Sequence, residues 1–366
     1  MKGVLMNGGE KANLVLEDGT VFSGMGYGIE NEIAGKIIFN TGVVGYQEVI
    51  TDPANAGKII VFTYPLIGNY GVSSKFNESD KVWCSGIVIK EKSRIFSNWQ
   101  AEESLDCFLA KNKVASFTNV DTRTLMVHLR EKGEMWGIIG SSRISVSELL
   151  NRLADFRNKK TSFLERISVK EKKILKKKNA KINVGILDLG ITKNIISQWE
   201  NLGVNVILLP YNTSGEELRE LKLNGLIISN GPEEDVMLEE VVKNTEYLIG
   251  KIPLLGISTG LHVLAKALGI KIGRMSLGHR GLNYPIIRVG SYRGTITVQN
   301  HLCVIDKADL EKRKELKITA YNLNDQTVEE IESKKLKIIG VQYYPVDLGF
   351  GEINPVFNKF LEMIRR

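Results

Sequence analysis

The sequence is poor in cysteine and histidine, with three cysteines and four histidines among 366 residues. Cys84, Cys107 and Cys303 are odd in number and widely spaced, which argues against a disulfide framework and against a CxxC metal site. No histidine, aspartate and glutamate residues follow one another with the spacing of a metal-ligand motif. We therefore expect no metal on this chain.

Long apolar runs and nucleotide-binding loops are also absent from the sequence. No segment approaches the roughly 20 apolar residues that cross a bilayer, and residues 1–11 lack the apolar core of a secretory signal. We therefore expect a cytoplasmic protein without a membrane partner. The phosphate-binding pattern GxxxxGK[ST] does not occur, which argues against an ATP site of that kind.

Positive charge is concentrated in one segment. The net charge is +7 at pH 7, and the excess lies between residues 159 and 181, which include Lys176, Lys177 and Lys178. Because this stretch has almost no aromatic residue, it indicates a solvated linker and no nucleic-acid partner. A lysine-rich face that docks an acidic partner is the alternative. The length suits two domains.

The first part of the chain is rich in predicted strands. Residues 13–22 alternate and turn at Asp18-Gly19, which is typical of a β-hairpin. Apolar β-branched runs predict further strands at 36–40 and 58–63 and around Val88-Ile89. Helices are predicted at 104–111 and 121–132, with Ser104 and Asp121 as N-caps.

The second part alternates strands and helices, which predicts a mainly parallel sheet with helices on both faces. The predicted strands are 183–189, 204–209, 226–229 and 253–257, and the helices are 193–202, 216–221, 238–248 and 261–268. From 274 to 341 we expect shorter strands with turns, and then a helix at 354–364. The fold class is α/β, with a β-rich α+β domain at 1–155, a lysine-rich linker at 156–181 and an open-sheet domain at 182–366.

A strand, a tight turn and a helix meet at Ser258. Such a turn holds one side chain above the sheet beside backbone N–H groups that stabilise an oxyanion. Residues 256–260 also spell G-x-S-x-G, so Ser258 is a candidate hydrolase nucleophile, with His262 as a candidate base. In the simpler interpretation Ser258 is a small residue that preserves the turn, and His262 packs against its neighbours.

Several separated motifs resemble the small subunit of carbamoyl phosphate synthetase. Its small-subunit-specific domain is matched by residues 16–20, 39–53, 63–71 and 121–123, and its class I glutamine amidotransferase domain by residues 188–190, 229–232, 278–285 and 299–301. The resemblance implies a part in making carbamoyl phosphate from bicarbonate, ATP and glutamine or ammonia, for arginine and pyrimidine synthesis. It also implies a large-subunit partner that carries ATP and magnesium, and no cofactor on this chain.

The departures from this family lie at the positions of its chemistry. The resemblance places the family's nucleophilic cysteine at Ser258, its histidine at Tyr344 and its glutamate at Val346, so all three are substituted. A phenol, with an ordinary pKa near 10, is a poor base at neutral pH. Asp347 is adjacent, but on an extended segment it is expected to point to the other side.

The glutamine-binding positions implied by the resemblance are also partly substituted; they are Gly42, Gly231, Glu233, Thr259, His262, Asn300, Leu302 and Cys303. Glu233 stands where the family has an oxyanion-hole glycine, which puts negative charge where negative charge must develop. We therefore expect the glutaminase step to be impaired, which leaves a structural or regulatory role. The alternative is an active amidotransferase or serine hydrolase that uses Ser258. For His279 and His301 we expect hydrogen bonding within loops.

Overall fold

The computed structural model describes residues 9–28, 31–159, 161–347, 349 and 351–366. The chain divides into two compact units, Met1–Lys160 and Thr161–Arg366. Each unit has hydrophobic clusters of its own. Among the described residues, no helix is both long and apolar enough to cross a membrane.

The first unit is built around a closed barrel. Its strands are β1 (Glu10–Leu16), β2 (Val21–Tyr27), β3 (Ile33–Asn40), β4 (Ile59–Phe62), β5 (Leu66–Ile67), β6 (Gly86–Val88), β7 (Glu91–Lys92), β8 (Ala115–Thr118) and β9 (Met135–Ser141). The barrel order is β1-β2-β8-β6-β4-β3-β9, and β5 pairs with β7 separately. The helices are α1 (Tyr46–Thr51), α2 (Leu105–Lys111), α3 (Thr122–Lys132) and α4 (Val146–Asn158).

Local sequence signals set the elements of this unit. The predicted hairpin forms between β1 and β2, with Gly19 at φ 88° in the turn. Ser104 and Asp121 cap α2 and α3, because their side chains accept hydrogen bonds from backbone N–H groups of the first helical turn. The prediction omitted α4, whose buried face consists of Leu149 and Leu153.

The second unit is a single ten-stranded sheet flanked by helices. Its strands are β10 (Lys173–Leu175), β11 (Asn183–Asp188), β12 (Asn205–Pro210), β13 (Gly225–Ile228), β14 (Leu254–Ile257), β15 (Ile272–Arg288), β16 (Gly294–Ile305), β17 (Lys317–Asn322), β18 (Val328–Ser333) and β19 (Ile338–Val341). The helices are α5 (Leu164–Ile167), α6 (Lys193–Asn201), α7 (Gly215–Glu220), α8 (Leu238–Glu246), α9 (Thr259–Ala267), α10 (Lys307–Leu310) and α11 (Pro355–Arg365).

The sheet has a parallel centre and an antiparallel flank. The strand order is β10-β12-β11-β13-β14-β19-β18-β17-β15-β16, and the pairs from β12 to β19 are parallel. The expectation of short strands after residue 274 is wrong for β15 and β16, which have 17 and 12 residues, and confirmed for β17, β18 and β19, which have 6, 6 and 4. Strands β15 and β16 form one long hairpin whose bulges accommodate the turn-like residues within it.

Alternate residues of the parallel strands face two separate cores. On β11, Val184 and Ile186 belong to the core that contains Trp199 and Phe360, whereas Leu187 belongs to the opposite core. Helices α6 and α11 cover the first face, and α7, α8 and part of α9 cover the second. The carboxyl ends of the parallel strands therefore meet at one edge, where ligands bind in open α/β sheets.

The segment 156–181, predicted to be a linker, includes structure attached to the second unit. β10 pairs with the edge strand β12, and Leu164 in α5 is fully buried. Two carboxylates hold the segment: Asp235 accepts hydrogen bonds from the N–H groups of Phe163 and Leu164, and Asp188 accepts one from Val169.

We expect Asp235→Ala to lower the free energy of unfolding by about 1–3 kcal/mol, because it leaves buried N–H groups without an acceptor. The matched control is Glu234→Ala, which removes the same charge from the more exposed neighbouring side chain. Urea denaturation measures both changes. Equal stability of the two variants would contradict this role for Asp235.

Candidate active site

Ser258 sits in a sharp turn between β14 and α9. Its backbone has φ 51° and ψ −108°, a conformation that residues with a side chain rarely adopt. The Ser258 N–H donates to the Val341 carbonyl at 2.7 Å, which ties the turn to β19. The structure therefore has the strand-turn-helix geometry that the sequence predicts at this position.

Two glycines allow this turn to pack. A Cβ atom on Gly260 would lie 1.9 Å from the carbonyl oxygen of Ile228, and one on Gly256 would lie 2.6 Å from the carbonyl oxygen of Gly260. Since neither position has room for a side chain, backbone packing alone requires glycine on both sides of Ser258.

The imidazole nearest to Ser258 in sequence is engaged elsewhere. His262 Nε2 lies 2.9 Å from Gln342 Oε1, and burial lowers the pKa of His262. Ser258 is buried and its side chain caps no N–H of α9. Within the part of the chain that the structure describes, no hydrogen bond joins an imidazole to the Ser258 hydroxyl.

Among residues 342–347, which follow β19 and are described, no histidine or other acid–base pair is brought to Ser258. Tyr344 is buried, and its N–H donates to the Val298 carbonyl at 2.9 Å. Val346 follows with an aliphatic side chain. The Asp347 carboxylate accepts a hydrogen bond from the Asn194 amide at 3.0 Å. This carboxylate is thus held by the Asn194 side chain on α6.

The Glu233 carboxylate is the main charged group of the site. Both of its oxygens lie 2.8 Å from the N–H of Leu302, and Oε2 also accepts from the N–H of Cys303 at 2.8 Å. The guanidinium of Arg280 lies 3.4 Å away, and both side chains are almost fully buried. The chain's own carboxylate therefore occupies a ready-made anion site.

The other predicted binding positions fall into two groups. Gly231, Thr259 and Asn300 lie in the second unit, where the Thr259 hydroxyl donates to the Gly231 carbonyl at 2.6 Å. Asn300 Oδ1 accepts from Arg280. Gly42 belongs to the first unit, where its N–H donates to Asn40 Oδ1 at 2.9 Å.

A cavity of about 210 Å³ adjoins the anion site. Glu233, His262 and Cys303 line it together with the cations Lys266 and Arg274, but Ser258 is not among its lining residues. Sequence reasoning did not assign roles to Arg280 and Gln342, although both lie within the motifs that carry the resemblance. Only the contacts with Glu233 and His262 reveal what these two side chains do.

Comparison with known proteins identifies the family. The family model described as carbamoyl-phosphate synthase small chain, CPSase domain, matches residues 14–139, and the glutamine amidotransferase class-I model matches residues 185–363. The carbamoyl phosphate synthase small chain of Clostridium perfringens is 38% identical over 353 residues, which are 96% of this chain and 99% of that protein. The chain belongs to the carbamoyl phosphate synthase small chain family.

Other members of the carbamoyl phosphate synthase small chain family match along the same length. The small chain of Bacillus cereus is 35% identical over 356 residues, which are 97% of this chain and 96% of that protein. Among solved structures, the crystal structure of a putative GMP synthase component from Thermoplasma acidophilum has a TM-score of 0.43 and 20% identity. The aligned region covers 50% of this chain and 94% of the Thermoplasma acidophilum chain.

We expect Ser258→Gly to be more stable than Ser258→Ala by about 1–3 kcal/mol, because glycine adopts this backbone conformation without the strain that a Cβ atom causes. Thermal or urea unfolding measures the difference. As a control, Ser197→Gly in α6 should lower stability by about 0.5–1 kcal/mol, since glycine weakens helix interiors. If alanine at position 258 were as stable as glycine, the turn would not be strained.

Proposed function

We propose that this chain is a small subunit of carbamoyl phosphate synthase whose own glutaminase step is impaired. Its partner is the large synthetase subunit, which carries the ATP and magnesium chemistry. The complex makes carbamoyl phosphate from bicarbonate, ATP and ammonia. In this proposal the chain has a structural or regulatory role toward that subunit. Family membership over nearly the full length supports the partner.

The observation that carries the proposal is the absence, among the described residues, of an imidazole hydrogen-bonded to the Ser258 hydroxyl. Opening an amide requires a base that takes the proton of the nucleophile and an acid that gives a proton to the leaving ammonia. A serine needs this help more than a cysteine does, because its hydroxyl is far less acidic than a thiol. Removing members of such a triad costs roughly 10⁴–10⁶ in rate.

Glu233 gives a second, electrostatic argument. Its carboxylate is held by the N–H groups of Leu302 and Cys303 and by Arg280. A negative charge fixed in a low-dielectric site opposes the formation of a second negative charge nearby. It also competes with any carboxylate ligand for the same N–H groups. Both effects work against binding and hydrolysis of glutamine.

The alternative is an active amidotransferase or serine hydrolase that uses Ser258. The strained turn supports it, because such turns expose a nucleophile. His262 is the candidate base, but its Nε2 faces Gln342. The other nitrogen, Nδ1, is buried without a hydrogen-bond partner among the described residues and does not bond Ser258 either. This alternative therefore requires one of the two nitrogens to move into hydrogen-bond reach of Ser258, and for this reason we favour the impaired glutaminase.

The decisive measurement compares carbamoyl phosphate formation from ammonium and from glutamine by the reconstituted pair of subunits. We expect ammonium to support synthesis and glutamine to support it at least roughly 10³-fold less well, since the acid–base machinery is missing. Ser258→Ala should leave both rates unchanged. A glutamine-dependent rate that disappears in Ser258→Ala would establish the alternative.

A second variant tests whether the replaced nucleophile or the missing base limits the glutaminase step. We expect Ser258→Cys to remain without glutamine-dependent synthesis, because a thiol without an imidazole partner is largely un-ionised at neutral pH. The control is ammonium-dependent synthesis by the same preparation, which should be unchanged. Glutaminase activity in Ser258→Cys alone would mean that the site already contains a working base.

A further inference from the structure

A buried cluster of four polar side chains lies in the second unit, beside the candidate active site. It consists of His279, Gln299, His301 and Glu329, hereafter the histidine cluster. His279 on β15 and His301 on β16 are register partners in the long hairpin, and Glu329 lies on β18. All four are buried, and Gln299, His301 and Glu329 are at most 1% exposed.

Each of the two imidazoles has an inner nitrogen, which faces Gln299, and an outer nitrogen on the other side of the ring. Each outer nitrogen lies beside a group that can only accept a hydrogen bond. His279 Nε2 lies 2.9 Å from a carboxylate oxygen of Asp325. His301 Nδ1 lies 3.0 Å from the carbonyl oxygen of Cys303. Both outer nitrogens therefore carry protons, and in the neutral rings the inner nitrogens present lone pairs. This arrangement, with a carboxylate or a carbonyl behind the imidazole, orients histidines that bind metals.

The oxygen of the Gln299 side chain presents a third lone pair, directed at the two inner nitrogens. The amide nitrogen of Gln299 donates to Glu329 Oε1 at 2.8 Å and to the Thr297 hydroxyl at 3.1 Å. Thr297 in turn donates to the Tyr284 carbonyl. These acceptors fix the orientation of the amide. Its oxygen consequently faces inward, 2.9 Å from His279 Nδ1 and 3.0 Å from His301 Nε2.

Glu329 adds an oxygen without a partner. Its Oε1 accepts from Gln299 and from Asn322, whereas its Oε2 is buried and has no hydrogen-bond partner. The N–H of Asn324 donates to Asn322 Oδ1, which fixes the orientation of that amide. Asn322 also approaches His279 Nδ1, at 3.4 Å. A buried carboxylate oxygen without a donor is costly, as are acceptors that face one another.

We propose that the histidine cluster binds one divalent transition-metal ion, through the inner nitrogens of His279 and His301 and the oxygens of Gln299 and Glu329. A cation at this point satisfies the inward lone pairs of His279, His301 and Gln299, and the Glu329 carboxylate supplies negative charge beside it. Nitrogen and oxygen donors of this kind suit Zn²⁺ and its first-row neighbours. Separations of 2.9–3.0 Å between these atoms correspond to angles near 90° on bonds of about 2.1 Å, and a tetrahedral ion would draw them apart to about 3.4 Å.

Charge and proximity support the same assignment. The ligand atoms of His279, His301 and Glu329 all lie within 4.8 Å of one another. The carboxylates of Glu329 and of Asp325 behind His279 balance a divalent charge. Because these ligands are separated by 22 and 28 residues in sequence, no spacing motif reveals them, and this proposal replaces the expectation of a chain without metal.

The role of such an ion is structural. The ligands are buried, so substrate has no open coordination position. The peptide of Cys303 links the histidine cluster to the anion site, because its carbonyl orients His301 while its N–H binds Glu233. An ion held by His301 therefore stabilises the strand segment that binds the Glu233 carboxylate.

The test uses the full chain, stripped with a chelator and then titrated with Zn²⁺ against a chromophoric competitor. We expect a single ion per chain, and its loss in Glu329→Gln. His128→Gln is the matched control, since His128 bonds Asp18 in the first unit. Asp325→Asn keeps all four ligands and should weaken binding by roughly 10–100-fold. This variant also keeps the test open if Glu329→Gln fails to fold.

A Co²⁺ spectrum distinguishes this site from thiolate sites. We expect ligand-field bands without thiolate-to-cobalt charge transfer, because the three cysteines are not ligands. Failure to retain stoichiometric Zn²⁺, Co²⁺ or Mn²⁺, or equal binding by Glu329→Gln, would overturn the proposal. A carboxylic acid C=O band in the infrared spectrum of protein without bound metal, if Glu329→Gln abolishes it, would also overturn the proposal. Such a band would show that Glu329 is protonated, and a protonated Glu329 beside a Gln299 amide turned by 180° satisfies the same lone pairs.

Discussion

The close approach of three strands and one helix at the end of the parallel sheet determines the candidate site. Gly260 packs against the Ile228 carbonyl, and the Ser258 N–H reaches the Val341 carbonyl, so β13, β14, β19 and α9 converge on one turn. This packing depends on glycine and on backbone hydrogen bonds, and it does not depend on the side chain at position 258. The backbone of the turn is therefore compatible with different side chains at position 258.

Beside that turn lie a buried ion pair and a buried imidazole. The interior of the site holds the Glu233 carboxylate, paired with Arg280 and with two backbone N–H groups, and an imidazole that faces an amide. Other parts of the chain satisfy the Glu233 carboxylate, whereas His262 Nδ1 and Gln342 Nε2 are buried without a hydrogen-bond partner in the part of the chain that the structure describes. A ligand that used the N–H groups of Leu302 and Cys303 would first have to displace the Glu233 carboxylate from them.

Much of the fold follows from local sequence signals. The Asp18-Gly19 turn, the caps at Ser104 and Asp121 and the alternating apolar strands around β11 predict elements that the structure contains. The long hairpin of β15 and β16 was not predicted, because the glycines and Pro285 of β15 are typical of turns when that strand is read by itself. The attachment of segment 156–181 was missed for a similar reason, since its charge pattern hides the contacts made by Asp188 and Asp235.

The sequence by itself determined the family, the two-part organisation and the residues that stand at the nucleophile turn, because these depend on residue order and on short-range preferences. The tertiary structure decided which groups satisfy one another. It turned His262 toward Gln342, bound Glu233 to Leu302 and Cys303, and gathered His279, His301 and Glu329 from three strands. The physical reason is that hydrogen-bond partners and buried charges are set by contacts between residues far apart in the chain, which no local pattern encodes.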